Sequence, residues 1–270
     1  MTDTQIKAPC DLCGSLRFKE FWTFNDFYYV QCEDCGLIHQ NPQPEPDDIT
    51  NMYAEDFFHY TFENQDAFFN LMKLSLQDIN FNQIAREFEG ERRILDIGCA
   101  TGLLLNHLKL QGWETEGVEI CKPSADYARD QFDLSVHGTN LFDCSFPNDH
   151  FPVIHFSHVI EHVPSPSDFL KEVYRILKPG GYIIVTTPNV EGLFAKIFRK
   201  NWRSVRTDHL FLFSRKNLRD LLEQCGFNVL KYRSWGGIPV EMSSGKIKQI
   251  TDYWVKYFNV GDVMLFLAQK

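Results

Sequence analysis

The chain has 270 residues, 44% of them hydrophobic, and a net charge of −9. That length can bury a full core as one large or two small domains, and the acidic balance argues against a nucleic-acid partner. No apolar run approaches a membrane span, and the opening Met-Thr-Asp-Thr-Gln-Ile-Lys lacks a signal-peptide core, so a cytoplasmic protein is expected.

The first motif is a pair of C-x-x-C-G knuckles, Cys10-Asp11-Leu12-Cys13-Gly14 and Cys32-Glu33-Asp34-Cys35-Gly36, separated by 18 residues. Thiolates at this spacing grip one tetrahedral ion, and the glycine allows the turn that aims backbone N–H groups at sulfur. Four sulfur ligands leave no open position for a substrate. The expectation is therefore a structural zinc on Cys10, Cys13, Cys32 and Cys35, in a ribbon-like domain over residues 1–40 with strands over 18–24 and 27–31. Cys99, Cys121, Cys144 and Cys225 are scattered and read as free thiols.

Asn41-Pro42-Gln43-Pro44-Glu45-Pro46 reads as a stiff connector. Tyr53, Phe57, Phe58, Tyr60 and Phe62 follow as an aromatic cluster, expected to pack between ribbon and core or to serve as a lid. Phe69, Met72, Leu76 and Ile79, then Phe81, Ile84 and Phe88, recur at helical spacing, so a packing helix is expected over 66–89. Residues 41–89 thus form a connecting segment and 90–270 a second domain.

That domain opens with Arg93-Ile94-Leu95-Asp96-Ile97-Gly98-Cys99-Ala100-Thr101-Gly102, then a helix, then a strand over 114–118 ending at Glu119. Gly98 and Gly102 bracket a turn where backbone must approach a ligand closely. Glu119, just past its strand, is placed to accept hydrogen bonds from two ribose hydroxyls. The dinucleotide fingerprint G-x-G-x-x-G fails, because positions 100 and 103 are Ala100 and Leu103. Asp96 would repel a pyrophosphate but suits a cationic group such as the amino group of S-adenosylmethionine (SAM). The expected cofactor is SAM, held by Asp96, Gly98, Cys99, Ala100, Gly102 and Glu119.

Further strands are expected over 134–137, 153–157, 182–187, 228–234 and 262–268, alternating with helices as in a mostly parallel sheet. Ser165-Pro166 reads as a helix start, and Ser214 as the cap of a helix ending at Cys225-Gly226. The inserts 188–213 and 236–260 should shape a substrate pocket beyond the strand ends. Arg199, Lys200, Arg203 and Arg206 form a local basic cluster, suited to phosphate on a substrate or simply to a solvated face.

These motifs resemble those of the class I SAM-dependent methyltransferases. Leu95–Gly102 is similar to their first motif and Glu119 to their ribose-binding acid. Thr139-Asn140-Leu141 stands where they contact adenine, Ser157–Val163 matches the segment after the fourth strand, and Leu177-Lys178-Pro179-Gly180-Gly181 matches the turn before the fifth. Phe151-Pro152 departs from their usual Phe-Asp. The resemblance covers about residues 80–270 and implies an α/β, Rossmann-like seven-stranded sheet, mostly parallel with its last strand antiparallel, with helices on both faces. It adds Asn140, Leu141 and Ser157 to the cofactor residues.

Methyl transfer requires alignment and, for a hydroxyl acceptor, removal of a proton. His209 in the later insert is expected as general base, with Glu161 and His162 lining the pocket. Asp208 beside His209 is a candidate to tune it. The expected acceptor is a small molecule, a sugar, nucleotide-sugar or natural-product intermediate, methylated on oxygen or carbon. Two alternatives stand beside this. One is a metal-assisted O-methyltransferase of quinone-pathway type, in which Glu161 and His162 hold an ion. The other is a non-catalytic SAM-binding scaffold.

Overall fold

A computed structural model describes residues 8–25, 27–44, 55–237 and 245–270. Its strands, in chain order, are β1 Phe18–Thr23, β2 Tyr28–Cys32, β3 Ile38–Gln40, β4 Arg93–Ile97, β5 Glu114–Val118, β6 Ser135–His137, β7 Phe151–Ser157, β8 Leu177–Pro188, β9 Phe211–Leu212, β10 Asn228–Trp235 and β11 Val263–Gln269. Seven of them form one sheet in the order β10-β11-β8-β7-β4-β5-β6. β4 to β8 pair in parallel, whereas β11 runs antiparallel to both β8 and β10.

Alternate residues of the same strands bury on opposite faces, as the period of two demands. Leu95, Ile154, Ile183 and Phe266 join the helices Pro166–Ile176 and Arg215–Gln224 in one cluster. Ile94, Val153, Ile184 and Leu265 meet Leu76, Ile84, Leu104 and Leu108 in the other. The expected caps are present: Ser165 and Ser214 accept from the N–H groups of Asp168 and Asn217.

Three local expectations change. The periodic stretch 66–89 is two helices, Gln65–Asp78 and Phe81–Glu87, because Asn80 takes a left-handed conformation at φ 59° and turns the chain. Both pack on the large sheet's domain, with Phe81 stacked on Trp113. Strand β8 begins at Leu177, not Tyr182: Phe151 pairs with Leu177 and Val153 with Tyr182, so Lys178–Gly181 is an irregularity carried within the ladder. Phe58 and Phe62 lie against Tyr127 of the helix Lys122–Phe132, on the large sheet's domain. Tyr53, the side chain of Phe57 and the connector beyond Pro44 lie outside the described residues.

The second sheet, β1-β2-β3-β9, joins distant parts of the chain. β1 to β3 come from the cysteine-bearing segment. β9 belongs to the insert after β8, with Ile38 opposite Leu212 and His39 opposite Phe211. Trp202, Ala195, Tyr29 and Ile38 bury a shared apolar cluster beside it.

Candidate active site

The chain leaves β4 through a turn of unusual backbone. Gly98, Ala100 and Gly102 have φ of 74°, 49° and 78°. A side chain on Gly98 would meet Val159 Cγ2 at 2.5 Å, so the turn lies directly against the segment that follows β7. Gly98 and Cys99 both donate backbone N–H bonds to the Val118 carbonyl, tying the end of β4 to the end of β5. The Cys99 side chain is buried under the helix Leu103–Lys109 with Leu105 and Ala125, so only its backbone faces the turn.

Glu119 is 5% exposed at the end of β5. Its Oε2 accepts from the Ala100 N–H and its Oε1 from the Cys121 N–H, both at 2.8 Å. Burial pushes its carboxyl up to about 7, and the neighbouring Asp96 adds to the rise against those two N–H bonds. Each oxygen retains a lone pair, and so buried a carboxylate is short of donors. Hydroxyls of a ribose would supply them, so the residues present fit a nucleoside cofactor.

Asp96 accepts from His155 Nδ1 at 2.7 Å, and both side chains are buried. The sequence reading missed His155. The available signal was a polar residue inside the apolar run of β7, which demands a partner, opposite the one acid of β4 in parallel register. Asn140 caps the short helical turn Leu141–Cys144, accepting from Asp143 N–H while its own amide donates to the Asp143 carboxylate. Leu141 points into the core, and Ser157 closes β7 opposite Thr186.

Beyond Ser157, His158 adopts φ 55° and donates its backbone N–H to Thr186. Its Nδ1 donates to Glu161 Oε1 at 3.0 Å, and Thr187 Oγ1 donates to Glu161 Oε2 at 2.8 Å. Glu161 is 1% exposed. Burial alone would raise its carboxyl, but the His158 hydrogen bond and the charges of His158, His162 and His209 win and hold it down at about 2.

His209 stands across from it, 7% exposed, its ring edge-on to His162 with centroids 4.7 Å apart. Burial first, and then His162, push its imidazole down to about 4, so it is neutral at pH 7. Its Nδ1 is buried without a hydrogen-bond partner. His162 Nδ1 donates to the Asp208 carbonyl at 2.7 Å, and the Leu210 and Phe211 N–H groups donate to the Glu161 carbonyl. These bonds fasten the late insert to the loop after β7. The Asp208 carboxylate pairs with Arg206 and lies 3.9 Å from His162 Nδ1, and its charge acts on the His209 imidazole in the raising direction, against burial and His162. One ligand atom from each of Glu161, His162 and His209 lies within 4.8 Å of the others, a donor set that fits a divalent cation.

The four knuckle cysteines are a separate cluster, their sulfurs also within 4.8 Å of one another and none in a disulfide. Cys10 and Cys35 sulfurs lie 3.4 Å apart, and those of Cys13 and Cys32 3.5 Å. A tetrahedral S₄ donor set fits zinc. Elsewhere in the inserts a cavity of about 160 Å³ is lined by Phe194, Phe198, Trp202, Arg203 and Asp262 among others. Arg199 and Lys200 are exposed, apart from the Arg206 pair. Among the described residues no helix is long and apolar enough to cross a membrane.

The chain shares its fold with a SAM-dependent methyltransferase from Archaeoglobus fulgidus, at a TM-score of 0.58 and 23% identity over 78% of this chain and 99% of that one. A protein of Alkalilimnicola ehrlichii named ubiquinone biosynthesis O-methyltransferase is 32% identical over 106 residues, 36% of this chain and 42% of the relative. One of the same name from Roseobacter denitrificans is 28% identical over 60% of this chain and 73% of its own length. The chain thus spans less than half of the first of these relatives. A family model described as a methyltransferase domain matches residues 71–232. That match takes in β4 to β9 and leaves the cysteine knuckles outside, and because it spans more than half of the chain, the chain belongs to this methyltransferase-domain family.

Proposed function

We propose that the protein is a SAM-dependent methyltransferase that methylates a hydroxyl of a small molecule. The observation that carries this reading is the buried, unpartnered Nδ1 of neutral His209, set against Glu161 and His162 on the loop that touches the Gly98 turn. SAM, when bound, supplies a methyl group on a sulfonium. Glu119 would accept from the ribose hydroxyls, the Asn140–Leu141 backbone would border the adenine, and Asp96 would face the amino end. Near neutral pH, His209 takes the proton of the acceptor hydroxyl. Glu161, buried and ionised, then stabilises the imidazolium. The exposed Arg199 and Lys200, and Arg203 on the cavity, support a phosphate-bearing acceptor such as a nucleotide-sugar. Cys10, Cys13, Cys32 and Cys35 hold a structural zinc.

A second reading has its own observation. Glu161, His162 and His209 converge as one oxygen and two nitrogen donors, and the relatives above carry the name O-methyltransferase. A cation there would polarise the acceptor oxygen in place of a base.

Labelled SAM incubated with cell extract, followed by mass analysis of the product, tests the activity. Turnover on the extract is expected, and SAM binding without transfer to any extract would leave a scaffold protein. Activity lost on mild chelation, with the ribbon zinc retained, selects the metal-assisted reading. Elemental analysis should find one zinc per chain, lost in Cys32→Ser; unchanged zinc in that variant would refute the ribbon site.

A further inference from the structure

Besides the packing of Leu12 and Leu37 on the core, hydrogen bonds among the described residues tie the cysteine-bearing segment to the rest of the chain at three places. Asp11, within the first knuckle, accepts from the Ser167 N–H at 2.7 Å and from the hydroxyls of Ser165 and Ser167 at 2.8 and 3.0 Å, at the start of the helix Pro166–Ile176. The Cys35 carbonyl, within the second, accepts from Asn217 Nδ2 at 2.8 Å, in the first turn of the helix Arg215–Gln224. Both knuckles are therefore fixed to helix starts of the large domain.

The third grip falls on the backbone that bears His209. Tyr29 Oη donates to the His209 carbonyl at 2.7 Å and lies 3.0 Å from that of Arg206. Gln40 Nε2 donates to the carbonyls of His209 at 2.9 Å and Thr207 at 3.0 Å. The Gln40 N–H donates to the Leu210 carbonyl at 2.8 Å, continuing the β3–β9 ladder. Tyr29 and Gln40 are 0% and 1% exposed. The His209 carbonyl, which belongs to a buried residue, would be left unsatisfied without the two side-chain donors. Tyr29 also packs in the apolar cluster with Ile38 and Trp202, so its hydroxyl, rather than its ring, is the part turned to the His209 carbonyl.

The geometry points to a positioning role for the ribbon: Tyr29 and Gln40 fix the backbone of Arg206–His209 and so aim the His209 ring at His162 and Glu161. The inference rests on the reading of His209 as the base. Its physical force is that a displacement of about 1 Å in a reacting group can cost roughly 10²-fold in rate. The His209 carbonyl, held by two side-chain donors from another part of the chain, leaves its own ring little backbone freedom. The ribbon then acts on chemistry without touching substrate, through one shared sheet.

The test uses the full-length zinc protein with Tyr29→Phe and Gln40→Met, which keep bulk and remove donors. Protein labelled with ¹³C-histidine gives a ring resonance for His209, assigned by its absence in His209→Ala. That resonance should shift in both variants while the His155 resonance and SAM affinity stay put. Amide exchange at Leu210 and Phe211 should quicken about tenfold. With labelled SAM and cell extract, kcat should fall while KM for SAM holds. An unmoved His209 resonance in both variants overturns the positioning role. The base reading fails separately: full methyl transfer by His209→Ala sinks it even where the ring resonance moves.

Discussion

The two halves of the proposed site are built on different plans. The proposed cofactor half lies between Asp96 and Glu119, a single β-turn-helix-β unit shaped by backbone conformation around one buried carboxylate. The chemical half draws Glu161 and His162 from one loop, His209 from an insert beyond β8, and the donors that hold His209 from Tyr29 and Gln40 in the ribbon. A local unit keeps its geometry through short-range constraints. A site gathered from three segments depends on side-chain hydrogen bonds across long sequence separations, and it is correspondingly easier to disturb without unfolding the chain.

The largest expected effect tests the chemical half alone. His209→Ala should lower turnover by roughly 10²- to 10⁴-fold, the range for losing a general base, and leave SAM affinity intact in calorimetry. Full activity would remove His209 from the mechanism. His162→Ala should behave differently, because its Nδ1 holds the Asp208 carbonyl. It is expected to lower stability by about 1–2 kcal/mol as well as rate, so loss of rate alone would count against an anchoring role.

The same contrast governs how much was legible in the sequence. The turn, the strands at 93–97 and 114–118 and the place of Glu119 just past the second could be read because spacing along the chain encodes them. The knuckles are legible for the same reason. The pairing of β3 with β9 was not, since a two-residue strand inside an insert gives no periodic signal. Nor was the Asp96–His155 pair, which exists only once two parallel strands are set in register. The break at Asn80 escaped because apolar spacing alone runs through it. Residues brought together by the sheet's assembly, rather than by a motif, are the ones that sequence spacing hides.

The halves touch where the Gly98 turn meets Val159, and a substitution there should couple them. Gly98→Ala places a methyl group against Val159 in a left-handed conformation. It should cost about 2–4 kcal/mol of stability, combining backbone strain with overpacking. Adding Val159→Ala should return part of that loss, with a coupling of about 1 kcal/mol or more in urea unfolding. Strict additivity of the two changes would mean that the halves are mechanically independent.

Within the cofactor half, Glu119→Ala should weaken SAM by roughly 1.5–3 kcal/mol, removing two ribose hydrogen bonds and leaving the Ala100 and Cys121 N–H groups unsatisfied. Calorimetry reads this directly, and unchanged affinity would sink the assignment of Glu119 while leaving the chemical half untouched.

The smallest effect is also the most specific. Burial raises the Glu119 carboxyl to about 7. A group whose folded pKa is raised contributes stability that is full below its unfolded value, near 4.5, and is lost as pH climbs through 7. Ribose hydroxyls donate to the ionised form, so binding should pull that pKa back down and release a proton. SAM affinity is therefore expected to rise with pH between about 5 and 7, by at most about tenfold per unit, and to level off above. Calorimetry at pH 6.5 in buffers of different ionisation enthalpy should show proton release, and Glu119→Gln should abolish it. Glu161 provides the internal contrast. Its carboxyl is already held at about 2, so it stays ionised across this window and contributes no slope. Proton uptake instead of release would mean that the cofactor meets Glu119 in its protonated form, and that the carboxylate is not the group recognising the ribose.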